Sequence, residues 1–239
     1  DSTNLQLKKM ASEGAPEGTL VVSGEQTAGR GRLGRSWSSP AGSGLWMSVL
    51  LRPDISPMKA SMVTLVAAMA VSDAVKEISG VDAKIKWPND LVAEGKKICG
   101  ILTEMSLEEN RISYIVVGIG INVNTDGFPE ELLDKAVSLK MLTGKTIKRA
   151  ALCGLICKKL ETYFEAFVFC GNLSFMKDAY NERLVNIGKE VVISDRDGSK
   201  NCISLGIDES GALLVRHGDG QIEAVTSGEV SVRGVYGYV

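Results

Sequence analysis

The stretch Glu25-Gln26-Thr27-Ala28-Gly29-Arg30-Gly31-Arg32-Leu33-Gly34-Arg35-Ser36-Trp37 constrains the fold more than any other in the chain. An apolar run over residues 19–24 precedes it and reads as a strand. Ser38-Ser39-Pro40-Ala41-Gly42-Ser43-Gly44 follows it. Gly29-x-Gly31-x-x-Gly34 matches the dinucleotide fingerprint letter by letter. That fingerprint works only where a helix opens inside it and offers its N-terminus to a phosphate. Nothing after Gly34 can start a helix, so the stretch is a loop and the doubly wound nucleotide fold is excluded. Its glycines let the backbone approach a ligand closely. Its arginines are planar, permanently charged forks suited to carboxylate or phosphate. In a chain of net charge -2, this density of positive charge points to a clamp for an anionic small molecule. A solvated basic loop is the bland alternative, which the rest of the chain must decide.

The organisation around the loop is α+β. Ser2-Thr3-Asn4 precede a helix-like stretch to about Glu13, ended by Gly14 and Pro16. Residues 45–52 read as a second strand. Pro57 opens a helix to about Ser79 that is apolar on nearly all sides, which places it buried against a sheet. Residues 83–87 form a short strand. Residues 91–93 and 96–105 pair as a hairpin around Glu94-Gly95, and 112–123 make a β-branched central strand. A long amphipathic helix is predicted over 148–169, with Leu152, Leu155, Ile156, Leu160, Tyr163, Phe164 and Phe167 on one face. Near Ile187 the character changes to short strands at 190–194, 202–208, 212–215, 222–225 and 229–232. Asp197-Gly198, Glu209-Ser210-Gly211 and Asp219-Gly220 separate them. Hairpin signals at this spacing predict a small β-barrel. The expected domains are 1–185 and 186–239.

Composition removes several classes. A pI near 5.6 gives no bulk electrostatic case for nucleic acid or a membrane surface. No unbroken apolar run of about 18 residues suggests a membrane span. Five cysteines without a Cys-x-x-Cys are expected to be reduced thiols in a cytoplasmic protein. The single histidine, His217, excludes a His-rich metal site, and its Gly/Asp surroundings read as a hairpin tip. Cys153 and Cys157 fall one helical turn apart without further ligands nearby, so they read as thiols and not as a metal site.

Four further motifs accompany the loop. Lys86-Trp87-Pro88-Asn89-Asp90 ends a strand with a base, an aromatic and two polar groups. Lys96-Lys97-Ile98-Cys99-Gly100-Ile101-Leu102-Thr103-Glu104 begins a strand with a lysine pair. Gly118-Ile119-Gly120-Ile121-Asn122 sets two glycines inside an otherwise continuous strand, a mark of a ligand lying against backbone. Ser227-Gly228-Glu229-Val230-Ser231-Val232-Arg233 lies near the end of the small domain. Each has a structural reading of its own; their joint order with the arginine loop is what carries weight.

Taken together with Ser2-Thr3-Asn4, Gln26 and Trp37, these motifs resemble the biotin–protein ligase family over the whole first domain and into the second. The resemblance implies a mixed sheet with flanking helices, like that of class II aminoacyl-tRNA synthetases, plus a small Src-homology-3-like barrel. It implies that biotin is activated with ATP to biotinoyl-5'-adenylate and passed to a lysine of a biotin carboxyl carrier protein, with magnesium accompanying ATP. By position, Ser2, Thr3, Asn4, Gln26, Gly29, Arg30, Gly31, Arg32, Trp37 and Lys97 would face biotin. Arg30, Arg32, Lys86, Asn89, Asp90, Asn122, Glu229 and Arg233 would face the nucleotide, with Lys97 and Arg32 catalytic. Leu33 stands where some members carry another basic residue. No winged-helix repressor segment is among these residues, so a nucleic-acid role is not expected; a homodimer is compatible with the family. A lipoate–protein ligase and a non-catalytic biotin-binding regulator stay open as alternatives.

Overall fold

The computed structural model describes residues 1–195, 198–226 and 231–234, with Asp195 and 231–234 as backbone only. Its elements are α1 (Thr3–Ser12), β1 (Leu20–Ser23), β2 (Leu45–Leu51), α2 (Met62–Ser79), β3 (Lys84–Lys86), β4 (Asp90–Ala93), β5 (Lys96–Glu108), β6 (Arg111–Ile121), α3 (Leu139–Thr143), α4 (Arg149–Cys170) and α5 (Lys177–Arg183). They are followed by β7 (Glu190–Asp195), β8 (Gly198–Ile207), β9 (Leu213–Arg216), β10 (Ile222–Val225) and β11 (Ser231–Gly234).

Strand alternation builds the first unit. β1 to β6 form a six-stranded sheet in the order β1-β2-β6-β5-β4-β3, with every ladder antiparallel. Parallel bridges at Ile85–Leu184 and Lys97–Ala136 make the sheet mixed. On β2 and β6, Leu45, Met47, Val49, Ile115, Val117 and Ile119 point to one face and join the main core with α2 and α4. The intervening Leu50, Tyr114 and Val116 point to the other face and pack on Leu7 and Ala11 of α1. The period of two thus assigns α1 one face and α2 with α4 the other.

The α4 stripe is core as its spacing predicts: Leu152, Ile156, Leu160, Phe164 and Phe167 are buried. Pro57–Ser79, which ends in α2, has the length and hydropathy of a membrane span but is mostly buried inside the protein. The helix expected to run unbroken from Pro57 begins instead as a 3-10 turn at Pro57–Lys59, and the α-helix starts at Met62. β5 continues to Glu108 where the sequence suggested an end at Met105, and turns into β6 through Glu109 and Asn110, both at positive φ. α5 was not anticipated.

The second unit is a five-stranded antiparallel sheet, order β10-β9-β8-β7-β11. β11 is described over Ser231–Gly234, and the expected start at Glu229 lies outside the described residues. His217 sits in the β9–β10 connection, its Nε2 2.7 Å from Glu223 Oε2.

Candidate functional site

The face of the sheet that α1 covers turns from apolar to bare at one end. Across the strands Gly100 faces Gly120, which faces Trp46, and Leu102 faces Gly118, which faces Ser48. Glycine at these positions leaves backbone uncovered, and two side chains from elsewhere lie on it. A Cβ on Gly118 would overlap Asn4 Oδ1 and stand 2.8 Å from Asn4 Cγ. A Cβ on Gly120 would stand 2.6 Å from Trp37 Nε1, and one on Gly100 2.8 Å from Trp37 Cζ3. The glycines are therefore required by close approach. Between these parts opens a cleft.

The inner end is neutral and polar. Thr3 N and Thr3 Oγ1 donate to Gln26 Oε1 at 2.9 and 3.2 Å, and Gln26 Nε2 donates to Ser39 Oγ at 2.8 Å. Buried Ser48 Oγ lies 2.7 Å from Thr3 Oγ1 and 2.6 Å from Asn4 Oδ1. Asn4 Nδ2 donates to Glu104 Oε2 at 2.9 Å and to Leu102 O at 3.3 Å. Asn4 is thus held on three sides by the protein, while Thr3 and Gln26 present the cleft wall. Ser48 escaped the sequence reading; its signal was a single hydroxyl in the apolar run Leu45–Leu51.

The mouth is cationic. The loop folds back on itself through bridges Gln26–Ser39 and Arg30–Ser36 and a short turn at Arg32–Gly34, with no helix following it. Trp37 N donates to Gly29 O at 2.9 Å, and a Cβ on Gly29 would overlap the Trp37 carbonyl. Arg30 Nη1 lies 3.3 Å from Glu104 Oε1, and Lys8 Nζ 3.2 Å from the same oxygen. Burial pushes the Glu104 carboxyl up, but the hydrogen bonds from Asn4 and Lys8 with the nearby charges outweigh it, and its pKa sits below the ordinary value. Arg32 Nη1 donates to Asn89 Oδ1 at 3.0 Å. Burial lowers the Arg32 pKa, with Asp90 opposing and Arg35 adding to it; the guanidinium remains charged. Lys97 Nζ lies 2.6 Å from Asp90 Oδ1 and 5.1 Å from the Trp37 ring centroid.

Ser2, Thr3, Asn4, Gln26, Arg30, Gly31, Arg32, Trp37, Asn89 and Lys97 all line this one cleft. Asp90 joins them through Lys97. Asn122 stands behind it: Asn122 Nδ2 donates to Lys97 O at 3.4 Å and Asn122 N to Ile98 O at 2.8 Å, which braces the backbone of Lys97 from below. Lys97 N and O also bond Lys135 O and Val137 N, so the 129–138 segment straps the same residue. Lys86 is buried at the end of β3 and is not among the residues lining the cleft. Glu229 lies outside the described residues, and Arg233 is described only as β11 backbone opposite Val192. A second cleft shares Arg32, Asn89 and Ile101 with the first and is rimmed by Ser61, Thr64, Thr103 and Met105.

Residues 1–122 match the biotin/lipoate A/B protein ligase family, and 187–233 match the biotin protein ligase C terminal domain. The bifunctional ligase/repressor BirA of Bacillus subtilis is 40% identical over 97% of this chain and 71% of its own length. The biotin–[acetyl-CoA-carboxylase] ligase of Paracoccus denitrificans is 32% identical over 90% of this chain and 91% of its own. Among solved structures, the biotin protein ligase of Aquifex aeolicus in complex with biotin and ATP superposes with a TM-score of 0.84 at 33% identity. That superposition covers 98% of this chain and 95% of the other.

Proposed function

This chain belongs to the biotin/lipoate A/B protein ligase family, and from that premise we infer that it is a biotin–protein ligase. It activates biotin with ATP to biotinoyl-5'-adenylate and transfers the biotinoyl group to a lysine of an acceptor carrier protein. The observation that carries the reading is one cleft with a neutral polar inner end and Arg30, Arg32 and Lys97 at its mouth. Such a cleft suits a ligand with an uncharged hydrogen-bonding head, an apolar chain and a carboxylate tail. Thr3 and Gln26 would meet the head, with Ser2 and Asn4 behind them. The Trp37 ring, lying on the backbone of Gly100 and Gly120, would flank the chain.

Both reactants of the first step are anions. A biotin carboxylate oxygen attacks the α-phosphorus of ATP, and the bond to the pyrophosphate oxygen breaks. Lys97 and Arg32 offset the repulsion and stabilise the charge that builds on the α-phosphoryl oxygens. Arg30 with its loop covers the acyl adenylate against water. In the second step the acceptor amine nitrogen attacks the acyl carbon and AMP leaves with its electron pair. The second cleft meets the first at Arg32 and Asn89, which gives an amine a way to that carbon.

We assign Asn89, Asp90 and Asn122, with Lys86, Glu229 and Arg233, to the nucleotide side, and activation to residues 1–185 with 186–239 in support. Magnesium would arrive with ATP, held by phosphate and water.

The test is incubation with biotin, ATP and magnesium followed by mass spectrometry, with lipoate in a parallel tube. Biotinoyl-adenylate in the first tube alone is expected. Adenylate from lipoate alone would reassign the substrate, and none from either would overturn the ligase reading.

A further inference from the structure

The motif residue Trp87 has no place in the cleft, yet it is 2% exposed and among the largest fully buried side chains. Its Nε1 donates to Gly211 O at 3.1 Å. Gly211 belongs to the turn between β8 and β9, in the second sheet. That turn is rigid. Asp208 Oδ1 accepts from Ser210 N at 2.8 Å, Ser210 Oγ at 2.7 Å and Ala212 N at 3.1 Å. Glu209 O accepts from Leu173 N at 2.8 Å. A Cβ on Gly211 would stand 3.0 Å from Leu65 and 3.1 Å from Leu173, so the turn is wedged against α2 and the segment after α4.

Two and three residues beyond Trp87 stand the partners of two site cations. Asn89 Oδ1 accepts from Arg32, and the Asp90 carboxylate holds Lys97. Asn89 is tied to β5 by its own backbone and side chain, Ile101 N to Asn89 O at 2.8 Å and Asn89 Nδ2 to Ile101 O at 3.1 Å. One short segment therefore grips the small domain at one end and aims two cations at the other.

We propose that Trp87 is a positioning residue: through its indole N–H the small domain fixes Asn89 and Asp90, and with them Arg32 and Lys97. The proposal rests on the ligase reading for its kinetic test but carries a second test that does not. Phosphoryl chemistry is sensitive to such a fixture, because a misplacement of about 1 Å can cost roughly 100-fold in rate. The hydrogen bonds of the inner end among Thr3, Gln26, Ser39 and Ser48 involve none of these residues.

Trp87→Phe keeps an aromatic ring and deletes the donor. In the full chain, kcat for biotinoyl-adenylate formation is expected to fall by roughly 10- to 100-fold, while the biotin Kd without ATP stays within about twofold. In an Asn89→Ala background the same change is expected to add little further loss, because residues acting as one unit are non-additive. Asp208→Ala, which loosens the turn from its far side and leaves Trp87 in place, should reproduce the kcat loss should Trp87→Phe fold poorly. Independently of activity, acylation of Lys97 by an N-hydroxysuccinimide ester, read by peptide mass, should change in rate in both variants. Full additivity with Asn89→Ala, or biotin affinity falling in step with kcat, would reduce Trp87 to a core residue and overturn the proposal. So would unchanged Lys97 labelling in variants that remain folded. If wild-type protein forms no adenylate, the ligase reading falls, and the labelling result alone decides the role of Trp87.

Discussion

Gly118 and Gly120 occupy equivalent positions on one strand, but the side chains above them are held differently, and substitution by alanine should separate the two. At Gly118 the new methyl group overlaps Asn4 Oδ1 and stands 3.0 Å from Asn4 Nδ2. Asn4 cannot retreat cheaply. It is 3% exposed at the start of α1, and its amide is engaged by Ser48, Leu102 and Glu104. A neutral hydrogen bond contributes about 1 kcal/mol net and one to a charged group about 1.5–3 kcal/mol. Overpacking of a rigid core costs about 1–3 kcal/mol. Partial loss of these bonds with local strain gives about 3 kcal/mol for Gly118→Ala. In a chain of this size each kcal/mol moves Tm by about 2–4 °C, so a fall of roughly 6–12 °C is expected.

At Gly120 the obstacle is Trp37, a half-buried ring on the loop whose Nε1 has no hydrogen-bond partner among the described residues. It can swing out at the loss of a few contacts. Gly120→Ala should therefore keep Tm within about 3 °C of wild type while biotin binding weakens. Thermal unfolding by calorimetry and titration with biotin measure both. Gly118→Ala with a wild-type Tm, or Gly120→Ala as the less stable of the two, would refute the reasoning.

Other expectations are quickly stated. Lys97→Ala should lose adenylate formation by several orders of magnitude, on the order of the 10²–10³-fold or more lost with one oxyanion donor, while circular dichroism shows the fold intact; near-normal turnover would remove Lys97 from the chemistry. Glu104 has its pKa depressed in the folded chain, so its stabilising contribution is present above the unfolded value of about 4.3 and is lost as pH falls through the lower folded value. Urea unfolding of wild type against Glu104→Gln should show a gap at neutral pH that narrows as pH falls below the unfolded value; a gap independent of pH would contradict the assignment. Cys153, one turn away on α4, pulls the Cys157 thiol down to about 7 against burial and Glu161, and is itself pushed up. Iodoacetamide should label Cys157 with a midpoint near that pH in a Cys170→Ser background, and Cys153→Ala should move the midpoint upward.

What the sequence disclosed and what it withheld divide along physical lines. Period-two and period-3.6 patterns are local, so both sheets and the α4 stripe could be read directly. The glycines of Gly118-Ile119-Gly120 signalled exposed backbone, but not what covers it: Asn4 at one and Trp37 at the other come from distant segments. Ser48 looked like an interruption in an apolar strand and is the hub joining Thr3 and Asn4. Glu104 was visible as a motif letter, whereas its gathering of Asn4, Lys8 and Arg30 depends on tertiary placement. Asn122 was visible as a motif letter, whereas its hydrogen bond to the backbone of Lys97 depends on tertiary placement. Contacts made across 25 to 124 residues of sequence leave no local pattern.

The pairing of the cations bears on how binding energy becomes rate. Arg30 rests on Glu104, Arg32 on Asn89 and Lys97 on Asp90. A ligand carboxylate gains from Lys97 only what exceeds its hold on Asp90, since an anion displaced from a partly buried partner must be resolvated or re-paired. One ground-state carboxylate exceeds it by little. A phosphoryl group gathering charge as the α-phosphorus bond changes hands exceeds it by more. On the proposed mechanism the internal partners trim ground-state binding while leaving the cations aimed for the transition state, and only that difference would accelerate the reaction. Asp90→Asn should then tighten binding of a simple carboxylate to the cleft while lowering kcat for adenylation, because Lys97 would lose its aim. Isothermal titration paired with single-turnover kinetics reads both numbers, and a variant that gained in both would show that Asp90 merely competes with substrate and positions nothing.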